Sequence, residues 1–379
     1  MSRLDFTPEA VAALLEQGLA AGAFPGAVAR WGRPEGPKYT LARGWRGLTR
    51  NREPAAEDLV YDLASLTKVL AATSLALVFF SRGRLDLDRP LAQGPLAPWL
   101  ASGGRPAATA DWSRLTPRHL MSHQSGLPPW RPFYRLGGDR AARRGLVLEA
   151  LRTEKPLAEP GASTLYSDLN FILLGFLLEE LGGAGLDLVF EREVTGPLGL
   201  ARTGFNPGRG PLAPTEDGFR HGGPVGHPEA EIKGPTPLGR PHDDNAAFLG
   251  GAAGHAGLFA PAAEAWAIAA DWASAWLNGR GLVFQRTALA EFLRPGRTGA
   301  GPGRPLGFNI KSQAEALTSS AWPEQAVGHL GYTGVSLWWE PESGFIWLLL
   351  TNRVHPRAVN PAWRPAAYVG GPLAAGLGR

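Results

Sequence analysis

Asp62-Leu63-Ala64-Ser65-Leu66-Thr67-Lys68 runs directly into an apolar stretch that continues from Val69 to Phe80. Tyr61 and Asp62 read as strand, and the residues from about Leu66 to Phe80 read as a helix. Side chains three apart share one face of a helix, so the Ser65 hydroxyl and the Lys68 amine stand together at its start. A helix N-terminus carries partial positive charge, which favours a serine alkoxide and the oxyanion of acyl transfer. A desolvated lysine there can fall in pKa and accept the serine proton. The chain has five lysines and sixteen serines among 379 residues, so accident supplies only about 0.2 pairs at this spacing.

Outward from this segment, both ends of the chain read as strand. Thr7-Pro8-Glu9 opens a helix with Val11, Leu14, Leu15 and Leu19 at helical spacing. Residues 26–31 and 39–44 then form two strands across a Pro/Gly-rich turn. Near the other end, 335–339 and 345–350 are a second strand pair joined by Glu340-Pro341-Glu342-Ser343-Gly344. Between them 115–123, 141–153, 170–181 and 262–277 read as helices, and 204–239 is Gly/Pro-rich. The implied organisation is an α+β two-domain chain. An antiparallel sheet flanked by helices is built from residues 1–85 and 262–379, with a mostly helical domain, 86–261, inserted in it.

Composition narrows the function. Hydrophobic residues at 44% and charged residues at 19% are ordinary for a folded chain and exclude wholesale disorder. Gly 50 and Pro 34 follow no period, which excludes a fibrous protein. The net charge is only +4, and the densest basic cluster, Arg140, Arg143 and Arg144, reads as one solvated face. No nucleic-acid partner is expected, because a phosphate-tracking surface needs concentrated charge. The absence of cysteine excludes disulfides, thiolate metal sites and cysteine catalysis. The first thirty residues show no signal-peptide pattern and the longest apolar run is too short to span a bilayer, so a cytoplasmic location without a membrane span is expected. There is no Gly-x-Ser-x-Gly elbow, phosphate loop or dinucleotide fingerprint. His119 and His123 lie four apart without a third metal ligand nearby, and the expectation is a capping or core role, with no metal.

The chain resembles the serine β-lactamase-like family of class C β-lactamases, D-alanyl-D-alanine carboxypeptidases, D-aminopeptidases and family VIII carboxylesterases. The resemblance runs from Phe24-Pro25-Gly26 to Thr351-Asn352-Arg353 and implies the β-lactamase/penicillin-binding-protein-like fold. Asp62 to Lys68 resembles the nucleophile segment, and His123-Gln124-Ser125-Gly126-Leu127-Pro128 the usual connecting motif. Tyr166-Ser167-Asp168 is similar to the second motif, Tyr-x-Asn, which implies that Tyr166 exchanges protons with Ser65 and the leaving group. An ordinary phenol ionises near pH ~10, so this role requires nearby cations, and Lys68 and His329 are expected to supply them. Gly328-His329-Leu330-Gly331-Tyr332 is similar to the third motif, Lys-Thr-Gly or His-Thr-Gly. By that likeness His329 orients Tyr166 and stabilises its charge, and Gly331 lets substrate approach the strand. The amides of Tyr332 and Ser65 then form the oxyanion hole.

Two departures set the expected substrate. Asp168 replaces the usual asparagine, so a carboxylate faces Lys68 and holds it charged. Leu330 replaces the hydroxyl residue that helps grip a substrate carboxylate, which points to neutral, short-chain esters. Arg353 and Arg357, after the last strand, are either surface residues or an acid anchor from another side. His242-Asp243-Asp244-Asn245 and Gly254-His255-Ala256-Gly257 resemble family segments near the cleft rim and are expected to hydrogen-bond loops. The thirteen tryptophans belong mostly to the core, with some free to line an acyl pocket. The expected activity is that of a serine carboxylesterase acting through an acyl-enzyme on a small-molecule ester or amide, with no cofactor. A D-amino-acid-specific peptidase or amidase, then a β-lactamase, are the enzymatic alternatives. A catalytically silent penicillin-binding-type sensor is the non-enzymatic one.

Overall fold

The computed structural model describes residues 6–48, 52–101, 112–208, 210–216, 236–295, 303–310 and 322–358, together with the backbone of 220–221 and 232–233. Most of the Gly/Pro-rich stretch beyond 216 lies outside the described residues. The two ends of the chain meet in one sheet. β1 (Gly26–Gly32) lies between β2 (Lys38–Gly44) and β11 (Phe345–Thr351). β10 (Val335–Glu340), β9 (Val327–Gly331) and β8 (Asn309–Ile310) continue it outward, every neighbour antiparallel. Val28 pairs with Leu350 and Trp31 with Trp347, so the last strand holds the first.

A strand points successive side chains to opposite faces, and here both faces are covered. Phe345, Trp347 and Leu349 pack with Trp31, Trp338 and the helix Pro8–Ala20 through Val11, Leu14 and Leu15. Ile346, Leu348 and Leu350 pack on the other side with Leu337, Trp339 and the helix Ala262–Asn278 through Trp266 and Trp272. The first helix starts as its sequence dictates: Thr7 caps it by accepting from the Ala10 amide at 3.2 Å. Trp31, Trp272, Trp322, Trp338, Trp339 and Trp347 are fully buried core residues, not the lining of an acyl pocket.

A smaller sheet positions the nucleophile. β3 (Val60–Asp62) pairs with β7 (Leu258–Pro261), which also pairs with β4 (Gly204–Phe205); β5 (Arg220–His221) and β6 (Ile232–Lys233) form a separate pair. The helices expected at 115–123, 141–153 and 170–181 are Pro117–Met121, Arg143–Arg152 and Asp168–Gly182. Every residue from Leu169 to Leu178 is buried, as an all-round apolar helix requires. One contiguous core reaches from Val28 and Leu350 of the large sheet through Leu66 to Leu173 and Trp272. His119 closes a capping box with Thr116 on its own short helix, the capping role its position suggested.

Candidate active site

The chain turns sharply between β3 and the following helix. Ala64 has φ +43°, a left-handed conformation uncommon for a residue with a Cβ. Buried Asp62 supports it, accepting from the Ala64 amide at 2.8 Å and, through its second oxygen, from the His242 amide at 2.7 Å. Burial raises the Asp62 pKa against these two donors. The Thr333 hydroxyl donates to the Asp62 carbonyl at 2.7 Å, fastening this loop to the turn after β9. Lys68 begins a six-residue π-helical segment, Lys68–Thr73, whose wider winding is matched by the Thr73 hydroxyl donating to the Lys68 carbonyl at 2.7 Å. Such segments are rare and gather at functional sites.

Ser65 and Lys68 meet as their spacing predicts. Lys68 Nζ donates to Ser65 Oγ at 2.9 Å and to the His255 carbonyl at 3.2 Å, and lies 2.8 Å from Asp168 Oδ1. The lysine is 0% exposed. Burial acts to lower its pKa, but Asp168 and Tyr166 outweigh burial and hold it above the ordinary lysine value. Lys68 is therefore an ammonium, and the desolvated neutral amine that spacing alone suggested is not what forms. The His255 carbonyl reaches Lys68 because Gly254 seats its loop on the helix Asp168–Gly182, where a Cβ would come within 2.0 Å of the Phe171 carbonyl. The Tyr166 hydroxyl donates to Ser65 Oγ at 3.1 Å, and Lys68 Nζ lies 5.0 Å from its ring centroid.

The third motif arrives on β9. His329 is buried, its ring 5.8 Å from that of Tyr166. Its Nδ1–H donates to the Leu330 carbonyl at 2.7 Å, which leaves Nε2 as the bare nitrogen. Burial first, then Lys68, pushes its pKa down to about 3. His329 is neutral at ordinary pH, so the cation expected there is absent. Gly331 also has a different reason for lacking a side chain: a Cβ would meet Val335 Cγ2 at 2.4 Å and the Leu63 carbonyl at 2.7 Å. The strand thus presses against the nucleophile loop. Tyr332 lies between the His242 ring, 5.5 Å away and stacked, and the Arg353 guanidinium, 4.7 Å from its centroid. Arg353 also donates to the Ala358 carbonyl at 2.9 Å, and Arg357 is exposed.

Sequence reasoning missed Arg304, named His123 only within a motif, and expected of residues 242–245 the loop bonding that they make. Arg304 is 4% exposed, donates through Nε to the Phe308 carbonyl at 3.0 Å and bonds the Asn309 side chain. Asn309 pairs with Gly328, next to His329. Burial brings the Arg304 pKa down to about 10, with Tyr166 acting in the opposite direction. It remains a cation within electrostatic reach of Tyr166, in a segment, Gly303-Arg304-Pro305, that carries no motif. His123 was visible only as part of a connecting motif, yet its ring lies 4.6 Å from that of Tyr166. The segment 242–245 ties three loops together. The His242 amide bonds Asp62, Asp243 bonds the His255 ring at 2.9 Å, and Asn245 accepts from the Tyr134 amide at 3.1 Å and donates to the Arg131 carbonyl at 2.8 Å.

The fold and the contacts around Ser65 define the class, a serine hydrolase. Residues 11–370 match the family model described as Beta-lactamase, and the chain belongs to that family. A protein of Escherichia coli strain K12 provisionally named D-alanyl-D-alanine carboxypeptidase is 28% identical over 351 residues, 88% of this chain and 79% of that protein. Among solved structures, EstCE1, described as a hydrolase with promiscuous acyltransferase activity, superposes with a TM-score of 0.68 at 23% identity, covering 94% of this chain and 98% of that one. A penicillin-binding protein homologue from Caulobacter crescentus gives 0.68 at 19% identity, covering 97% and 95%. Among the described residues no helix is long and apolar enough to cross a membrane.

Proposed function

We propose that this chain hydrolyses small neutral esters through an acyl-enzyme on Ser65, as a carboxylesterase. The observation that carries the reading is the set of contacts from the Tyr166 hydroxyl to Ser65 Oγ, from Ser65 to Lys68 and from Lys68 to Asp168, at 3.1, 2.9 and 2.8 Å. Because Lys68 is held charged, Tyr166 is the base. As the phenolate, with the 3.1 Å contact then running from the Ser65 hydroxyl to the tyrosine oxygen, it takes the Ser65 proton as Oγ attacks the carbonyl. It then returns that proton to the leaving group, and the same pair passes a water proton during deacylation. The Lys68 and Arg304 cations stabilise negative charge on the tyrosine oxygen. Neutral His329 orients Tyr166 without adding charge, and the Ser65 and Tyr332 amides receive the oxyanion. Leu330 supports an ester over a carboxylate-bearing substrate, because an apolar side chain offers no hydrogen bond. The reading takes residues 86–261 as an inserted domain in a host of 1–85 and 262–379, with the site in the cleft between them.

One observation favours a second reading, a peptidase or amidase for D-amino-acid substrates: Arg304 is a buried cation beside the third motif, and its charge suits a substrate carboxylate. The relative from Escherichia coli carries a name of that type. A panel of p-nitrophenyl butyrate, D-alanyl-D-alanine peptides and nitrocefin separates the two, run beside intact-mass mapping of a fluorophosphonate adduct. The expected result is one adduct on Ser65, absent in Ser65→Ala, and the highest kcat/KM on the ester. Turnover best on the D-alanyl peptide, lost in Arg304→Gln, replaces the first reading with the second. An adduct elsewhere, with Ser65→Ala active, overturns both.

A further inference from the structure

The hydroxyl of Tyr166 must stay within hydrogen-bond distance of Ser65, yet the residue is 38% exposed. A displacement of about 1 Å at a reacting group costs on the order of a hundredfold in rate. Side-chain contacts alone are a weak restraint on a partly exposed ring, so the backbone that carries it must be fixed as well. His123 contacts this segment in three ways. Its carbonyl accepts from the Leu165 amide at 2.9 Å, and its Nδ1 accepts from the Ser167 amide at 3.0 Å. Its ring lies against the tyrosine ring, with centroids 4.6 Å apart. The residues on either side of Tyr166 are thus bonded to one residue, and the tyrosine ring rests on its side chain.

His123 adopts φ +56°, a strained choice for a residue with a Cβ, and its ring is buried. Asn170 Nδ2 lies 3.3 Å from the same Nδ1, and the Asn170 oxygen is held by the Ser125 hydroxyl. An imidazole that accepts at Nδ1 must be neutral with its proton on Nε2. Burial first, then the Arg304 and Lys68 cations, holds the ring well below the ordinary imidazole pKa, with His329 and the Ser167 amide the other groups that act on it.

We propose that His123 is a positioning residue for catalysis, holding the Tyr166 hydroxyl over Ser65 by bonding the backbone on both sides of the tyrosine and supporting its ring. The inference rests on Tyr166 as the proton carrier proposed above. The test is a double-mutant cycle on p-nitrophenyl butyrate with His123→Ala, His123→Asn and Tyr166→Phe, each checked for native circular dichroism. His123→Ala should lower kcat about tenfold or more with KM within about threefold, because the loss is in orientation and not in binding. Asparagine keeps an acceptor oxygen and tolerates positive φ, so His123→Asn should recover most of the loss. In the Tyr166→Phe background neither substitution should lower kcat further by more than about twofold. Losses that multiply in full, an asparagine variant no better than alanine, or an alanine variant at full rate would each overturn the inference. Should His123→Ala not fold, the cycle is read from His123→Asn, whose smaller loss must also vanish in the Tyr166→Phe background. If Tyr166→Phe alone left kcat unchanged, the proton path and this inference would fall together. An impaired Tyr166→Phe with multiplicative His123 losses removes this inference alone.

Discussion

The terminal sheet and the cleft beside it obey opposite rules. Along β10 and β11 every residue is buried, side chains alternate between two apolar clusters, and the pairing runs in unbroken register from Ser336–Leu349 to Glu340–Phe345. Local preference, pattern and packing agree there. In the cleft they do not. Ala64 and His123 have positive φ, an ammonium is 0% exposed, and a short π-helical turn interrupts the helix that carries it. Three of these departures are held by a named neighbour: Asp62 under Ala64, Asp168 against Lys68, Thr73 on the Lys68 carbonyl. Natural sequences are consistent across levels except where function requires otherwise. Residues of the sheet should therefore act on stability and residues of the cleft on rate, with little crossing between the two.

The largest effects should separate along that line. Trp347, fully buried between Trp31 and Phe6, should cost about 3–5 kcal/mol of unfolding free energy when replaced by alanine. Below its lowered Tm, Trp347→Ala should keep kcat/KM within about twofold. Lys68→Ala should do the reverse in rate, lowering kcat at least about a hundredfold, because the donor that organises Ser65 and Tyr166 is gone. Urea denaturation and ester kinetics on the two variants give both readouts. A Trp347→Ala enzyme that is folded and yet impaired as severely as Lys68→Ala would break the comparison.

Asp168 lies at the boundary, since it stands in the first turn of a buried helix and also pairs with Lys68. In Asp168→Asn the counter-charge disappears and burial is left to act on the amine, so the Lys68 pKa should fall. The alkaline limb of the kcat profile should move to lower pH by about one unit or more, which is about tenfold in kcat at a pH above that limb. Near pH 6 the variant should stay much closer to wild type. A profile from pH 5 to 10 that kept its alkaline limb in place would mean that the ion pair does not govern the charge of Lys68.

Much of this could be read from the sequence, for identifiable reasons. Four strands of the large sheet, β1, β2, β10 and β11, were legible because apolar and aromatic runs lie between turn residues, and Ser65 with Lys68 because three-residue spacing fixes a shared face. Tyr166 and His329 were legible only through likeness to motifs. The rest depended on neighbours distant in the chain. The charge of His329 is set by burial and by Lys68, neither of which appears in Gly-His-Leu-Gly. Arg304 sits in a Gly/Pro segment without periodicity, and its place follows from Phe308 and Asn309. Strands of two residues, such as β4 and β8, are too short to alternate. Nor does any propensity announce that the Thr73 hydroxyl will bond the Lys68 carbonyl and widen the helix there.

The smallest effect concerns pH and stability, and it also tests the neutral imidazoles of the cleft. His123 and His329 are both held below the ordinary histidine value of 6.5, His329 at about 3, and His119 is lowered as well. Between about pH 6.5 and 3 the unfolded chain binds protons on these rings that the native chain does not. Stability rises with pH wherever the unfolded state holds more protons, so it should be fully present above about pH 6.5 and fall as the solution is acidified. Each imidazole contributes at most about 1.4 kcal/mol per pH unit. Buried Asp62 and Glu179, whose pKa values burial raises, act on the slope in the opposite direction, so from pH 7 to 5 the histidine contribution is read as the difference in slope between wild type and variant. His329→Gln removes one titrating ring and should flatten the slope by up to that amount. The rate at pH 5 relative to pH 7 should owe nothing to His329, since the ring does not change charge in this range. Urea midpoints at four pH values for wild type and His329→Gln suffice. An unchanged slope would mean that His329 titrates alike in the folded and unfolded chain. The ring beside Tyr166 would then be neutral only above about pH 6.5 and charged below it.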